Sequence, residues 1–132
     1  MIVKGLDGKE YKWSTYKYHS GNDNKTSKLH KQCREVLKDV FPLDRILEEV
    51  YLPGTGTLYA DFYIPSKNLI IEVHGIQHYE YNTFFFKTKM EFYRAQGRDR
   101  KKIEWCNLND IDITVLDGRK KNEWDSIIRG QT

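Results

Sequence analysis

Long apolar runs are missing from this chain. Nowhere in its 132 residues does a hydrophobic stretch approach the roughly 20 residues that a membrane-spanning helix needs. The opening Met-Ile-Val-Lys-Gly-Leu-Asp-Gly also lacks the apolar core of a signal peptide, so the protein is expected to be soluble and cytoplasmic. Cysteine is scarce: Cys33 and Cys106 fall short of the framework of bridges that a small secreted domain uses, and both are expected to be reduced thiols. His30 and Cys33 have a metal-ligand spacing, yet no second close ligand pair follows, so Cys33 is expected to pack on a helix instead of binding zinc. Repeats and low-complexity tracts are absent, which leaves room for one core of ordinary domain size. Net charge is small as well, +3, and does not by itself call for a nucleic-acid partner.

What is present centres on residues 58–78, Leu-Tyr-Ala-Asp-Phe-Tyr-Ile-Pro-Ser-Lys-Asn-Leu-Ile-Ile-Glu-Val-His-Gly-Ile-Gln-His. The flanks 58–64 and 69–74 are β-branched, aromatic and alternating, and Pro65-Ser66-Lys67-Asn68 between them reads as a turn, which predicts a hairpin. Symmetric closure of that turn pairs Ile64 with Leu69 and sets Asp61 across from Glu72. Directly opposed residues have Cβ atoms about 4.5–5.5 Å apart, where like charges destabilise a sheet. A hard divalent cation removes the conflict, because Mg²⁺ takes oxygens from one or two carboxylates and keeps waters that a phosphate can replace; Mn²⁺ is expected to substitute. Period-2 geometry adds His74 to the Glu72 face. The bland alternative is two acids on a solvated hairpin face. Against it stands Leu69-Ile70-Ile71, a run suited to a strand buried on both faces, where an unpaired Glu72 would be costly.

Charge distribution says more than charge total. Residues 1–42 carry Lys4, Lys9, Lys12, Lys17, Lys25, Lys28, Lys31, Arg34 and Lys38, interleaved with Tyr11, Trp13, Tyr16, Tyr18 and His19. That mixture suits phosphates and exposed bases. A second cluster, Lys87, Lys89, Arg94, Arg98, Arg100, Lys101 and Lys102, follows the hairpin. Either cluster alone is accounted for by a solvated face; two flanking an acidic site point to double-stranded DNA. Lys12, Trp13, Lys17, Lys87, Arg98, Lys101 and Lys102 are the candidate contacts, and a local core for the extension is the alternative role of Tyr11, Trp13 and Tyr16, expected of at least one of them.

The remaining pattern predicts an α/β domain with an α-β-β-β-α-β core. Residues 1–24 read as a basic, aromatic extension with short strands and a linker, and 25–132 as the main domain. Thr26 or Ser27 caps a helix to about Val40, with Leu29, Cys33, Val36, Leu37 and Val40 inward. Residues 46–52 alternate as a first strand, 85–107 form a helix in which Gly97 is a candidate break, 111–116 form the last core strand, and 122–129 a closing helix.

Asp61 followed by Glu72-Val73-His74 resembles the core motif of the PD-(D/E)XK nuclease superfamily. The run Ile-Ile-Glu-Val-His-Gly-Ile-Gln-His-Tyr at 70–79 is closer to the branch of very-short-patch mismatch repair endonucleases and phage homing endonucleases of the E-D-x-H-D type. The resemblance spans residues 27–116 and departs from the family at two points: His74 stands in place of its lysine, and Ala60 in place of its proline. It implies a restriction-endonuclease-like fold with a mixed sheet flanked by helices, and a Mg²⁺-dependent DNA endonuclease of the phage homing type. A repair or junction-nicking enzyme is the enzymatic alternative, and a DNA-binding module without catalysis the other. It implies Asp61 and Glu72 as metal ligands, His78 as general base with His74 competing for that role or contacting the phosphate, and Gln77 holding a water or phosphate oxygen. Gly75 would let the chain turn sharply. The family's helix-borne acid is matched best by His30, with Glu35 as alternative and Glu48 or Glu49 on the following strand; its last acid is matched by Asp99. One active site cuts one strand per encounter, so a double-strand break calls for a homodimer or sequential nicks.

Overall fold

The computed structural model describes residues 1–21 and 27–130. The linker positions Asn22, Asp23 and Asn24 and the helix-capping candidate Thr26 lie outside the described residues.

A four-stranded mixed sheet forms the centre. β3 (Leu47–Tyr51), β4 (Tyr59–Ile64) and β5 (Leu69–His74) are antiparallel neighbours, and β6 (Asp112–Asp117) lies parallel to β5 at the other edge. Ahead of them stand a small hairpin, β1 (Ile2–Lys4) with β2 (Glu10–Lys12), and α1 (Lys28–Val40); α2 (Lys89–Leu108) connects β5 to β6, and α3 (Trp124–Arg129) closes the chain. From α1 onward the order is α-β-β-β-α-β, as expected.

Local chemistry accounts for these limits. The Ser27 side chain accepts the His30 N–H at the start of α1, and Thr88 does the same for Glu91 in α2. The second helix therefore begins four residues later than its pattern suggested, and Gly97 does not interrupt it. Asn68 adopts a left-handed φ of 49° and closes the β4–β5 turn, a conformation asparagine tolerates.

The two faces of the sheet bury separate apolar layers. On one, Cys33 and Leu37 of α1 and Trp124 and Ile128 of α3 meet Phe62, Ile64, Leu69, Ile71 and Leu116. On the other, Trp105 and Cys106 of α2 meet Leu47, Val50, Tyr63 and Ile70. The two cysteines are free and lie in different layers; burial pushes the Cys106 thiol up to about 12, and Cys33 is likewise raised.

Two corrections concern the first 20 residues. Val3 and Trp13 belong to the α2-side layer, so the amino-terminal hairpin completes the core instead of standing off from it. Trp13 is 5% exposed, packs 4.8 Å from the Tyr63 ring and 5.2 Å from Trp105, and donates its indole N–H to the Tyr51 carbonyl at 3.0 Å. It is therefore unavailable to a nucleic-acid base. An indole of this size contributes on the order of 3 kcal/mol through burial alone, more than stacking on one base returns.

Candidate functional site

Asp61 and Glu72 stand where the β4–β5 ladder ends. Its pairs run Ile64–Leu69, Tyr63–Ile70 and Phe62–Ile71. One position further on, each carboxylate turns to the other strand's backbone: the Asp61 N–H donates to Glu72 Oε2 at 2.6 Å, and the Val73 N–H donates to Asp61 Oδ2 at 3.0 Å. The predicted register is thus correct. The other Glu72 oxygen accepts from the Lys102 ammonium at 2.6 Å, so both oxygens of this carboxylate have donors. Glu72 is 1% exposed. Burial first, and then the Asp61 charge, push its carboxyl above the ordinary range, while Lys102 opposes them. Burial acts to lower Lys102 in turn, but the Glu72 charge outweighs it and holds the ammonium above its usual value.

Asp61 also belongs to a second cluster of donor atoms. One donor atom each of His30, Glu49 and Asp61 lie within 4.8 Å of one another. The β3–β4 register pairs Glu48 with Phe62 and Val50 with Ala60, so Glu49 faces Asp61 across an interrupted ladder. Glu49 has a left-handed φ of 53°, costly for a residue with a Cβ and of the kind that gathers at functional sites. The kink also breaks the alternation expected for 46–52: Val50 joins the same layer as Leu47, although strict period 2 would set them on opposite faces. Burial and the Asp61 charge raise the Glu49 carboxyl. Two opposed carboxylates and an imidazole form a donor set that fits a divalent cation. Sequence reading left Glu49 among alternatives because nothing local marks the kink. Glu35, the alternative on α1, is exposed and lies 3.8 Å from Lys38, away from this group.

A second group lies beside the first. His78 Nδ1 is 2.8 Å from Asp99 Oδ2, so the carboxylate accepts the Nδ1–H and leaves Nε2 as the ring's free acceptor. Burial opposes ionisation of Asp99, yet the His78 hydrogen bond holds its carboxyl below the usual range. His74 Nε2 is 3.8 Å from the other Asp99 oxygen, and the two imidazoles stack at 4.0 Å and 9°. A cavity of about 300 Å³ brings both groups together, lined by Glu49, Asp61, His78, Arg98, Asp99 and Lys102. On α2 the residues Ala95, Asp99 and Lys102 recur at helical spacing on the cavity side, ahead of buried Trp105 and Cys106. Two charged residues inside an inward stripe were the available signal for Lys102 lying beside Glu72, where the sequence reading named it only as a DNA contact.

The other predicted residues divide plainly. Lys12, Lys17, Lys87, Arg98 and Lys101 are exposed. Gln77 is half-buried and folds back over Gly75, where any side chain would collide with its amide. Gly75 itself has an ordinary φ of −74°, so no sharp turn requires glycine there, and a Cβ would meet only the movable end of the Gln77 side chain.

His74 gives this site a pH signature. Burial, then His78, hold its imidazole down at about 4, against 6.5 in a free chain. Between those values the unfolded state binds the extra proton, so stability rises with pH across that window and is lost as pH falls through it. The expected size is on the order of 3 kcal/mol. Denaturant midpoints in EDTA should climb more steeply from pH 4 to 6.5 for wild type than for His74→Asn, and parallel curves would remove His74 from this account.

Uncharacterized protein 033L of Invertebrate iridescent virus 3 is 32% identical to the chain over 99 residues, which cover 70% of the chain and 50% of the viral protein. Uncharacterized protein 307L of Invertebrate iridescent virus 6 is 37% identical over 60 residues, 46% of the chain and 30% of that protein. The chain thus spans half or less of the length of these curated relatives. No family model matches it. No solved structure matches it.

Proposed function

We propose that this chain is a metal-dependent DNA endonuclease with a restriction-endonuclease-like core, of the phage homing type that its 61–79 motif resembles. The observation that carries the reading is the convergence on one cavity of Glu49 and Asp61, with the His30 imidazole beside them, the His78–Asp99 pair and the Lys102 side chain. Carboxylates that hold a cation, an imidazole with a free nitrogen and a lysine are what hydrolysis of a phosphodiester uses together.

Asp61 and Glu49, with His30, hold the divalent ion. When bound there, it supplies Lewis-acid stabilisation of charge on the phosphate and makes water easier to deprotonate. His78 Nε2 takes the proton of the attacking water, and Asp99 stabilises the resulting imidazolium while fixing the tautomer. Lys102, reaching the cavity from α2, meets a phosphate oxygen in place of the lysine that position 74 lacks. Exposed Lys12, Lys17, Lys87, Arg98 and Lys101 neutralise the flanking DNA backbone.

The test is conversion of supercoiled plasmid to nicked or linear product by purified protein, with Mg²⁺ or Mn²⁺ and with EDTA. Metal-dependent cutting is expected, absent in EDTA. Tight DNA binding without cutting under any metal would assign the chain to non-catalytic DNA-binding modules instead. A linear product formed in proportion to dimer would indicate paired active sites, and nicked product alone a single one.

A further inference from the structure

The reading above leaves one buried polar group without a task. Glu48 is 6% exposed, on the α1 side of β3, and is surrounded by donors. Arg34 clasps it in a bidentate pair, Nε to Oε2 at 2.9 Å and an Nη to Oε1 at 2.8 Å, and the Gly21 N–H donates to Oε2. Clasped by a guanidinium and a backbone amide, it is a carboxylate that only accepts hydrogen bonds. His30 Nε2 lies 2.7 Å from Oε1, so that nitrogen carries the proton. Nδ1 keeps the lone pair, and among the described residues it makes no hydrogen bond. The ring is 5% exposed and stacked 4.3 Å from Phe62, which holds its plane beside Glu49 and Asp61.

A carboxylate that accepts one ring N–H of a histidine leaves the other nitrogen as the one able to ligate a neighbouring ion, the outer half of a carboxylate–histidine–metal arrangement. It selects the tautomer and raises the basicity of the ligating nitrogen. Ligand type then decides the ion: oxygen-only sites suit Mg²⁺, whereas an imidazole nitrogen favours first-row transition dications over it. We infer that Glu48 is a positioning residue that sets His30 as a nitrogen ligand, and that the Glu49–Asp61 site consequently binds Mn²⁺-class cations in preference to Mg²⁺. This rests on the metal-centred reading above and departs from the Mg²⁺ expectation taken from the sequence.

Binding measurements on the full chain, without DNA or turnover, separate the two. Titration of free Mn²⁺ by electron paramagnetic resonance, with Mg²⁺ as competitor, should give wild type at least about a tenfold preference for Mn²⁺. Pulsed resonance of the Mn²⁺ complex should show coupling to ¹⁴N, and His30→Gln should remove it. Glu48→Gln should weaken Mn²⁺ binding by about 10- to 100-fold, the usual scale for such an outer partner, while changing Mg²⁺ affinity about twofold or less. The wild-type ¹⁴N signal carries the test even if Glu48→Gln fails to fold. Equal affinity for both ions, or no ¹⁴N coupling, overturns the inference. So does coupling that survives His30→Gln, which would move the ion to His74, His78 and Asp99. Metal-dependent cutting of plasmid by wild type alongside any of these results would leave the nuclease reading standing. Loss of all Mn²⁺ and Mg²⁺ binding in Asp61→Asn is expected under both readings, and its retention would overturn both.

Discussion

Asp61→Asn should reduce plasmid cleavage by about a thousandfold or more, since a bound cation contributes several kcal/mol of charge stabilisation and each 1.4 kcal/mol is a factor of ten. The same variant should fold and keep its DNA affinity. Asparagine retains an oxygen for the Val73 N–H, which donates to Asp61 Oδ2 at 3.0 Å. It also removes a charge that helps push the buried Glu72 carboxyl upward, and that of Glu49 beside it. The melting temperature in EDTA should therefore hold or rise. This combination, lost activity with undiminished stability, distinguishes a functional carboxylate from a structural one. Robust cutting by the variant, or by wild type in EDTA, sinks the assignment.

Removal of the base should cost less but remain large. His78→Ala is expected to slow cleavage by about 10²- to 10⁴-fold without weakening DNA binding, the range for a positioned proton acceptor. Asp99→Asn should lower the rate in the same direction, because an amide oriented by the ring no longer holds the proton on Nδ1, where the carboxylate now lies 2.8 Å away. His74→Ala should have the smaller effect on the chemical step. His74 is 7% exposed, behind the His78 ring, and is not among the residues lining the cavity. A dead His74 variant beside a nearly normal His78 variant would exchange their roles.

The site shows where a linear pattern carries three-dimensional information and where it stops. Period 2 and a four-residue turn were enough to set Asp61 and Glu72 across from each other, because hairpin register follows from the turn that closes it. Asp99 was matched to the family's last acid, and the structure sets it 2.8 Å from His78 Nδ1. Trp13 was misjudged for a physical reason: an aromatic residue among lysines reads the same whether it faces bases or completes a core, and its burial against Tyr63 and Trp105 depends on elements far along the chain. Lys102 was named only as a phosphate contact, since its partner in the structure, the Glu72 carboxylate, lies on a strand 30 positions earlier.

Hydrophobic period and contacts between near neighbours were enough for the element order of the main domain, the hairpin register, a cap at residue 26 or 27, and a strand buried on both faces at Leu69-Ile70-Ile71. Tertiary structure alone decided which charges meet. Glu49 joins Asp61 because a left-handed kink in β3 turns it there, while Glu48 is clasped by Arg34 of α1, and His30 on the same helix reaches both acids. Adjacent glutamates of identical chemistry thus take up separate tasks. A buried charge settles only where a partner or an ion offsets its loss of water.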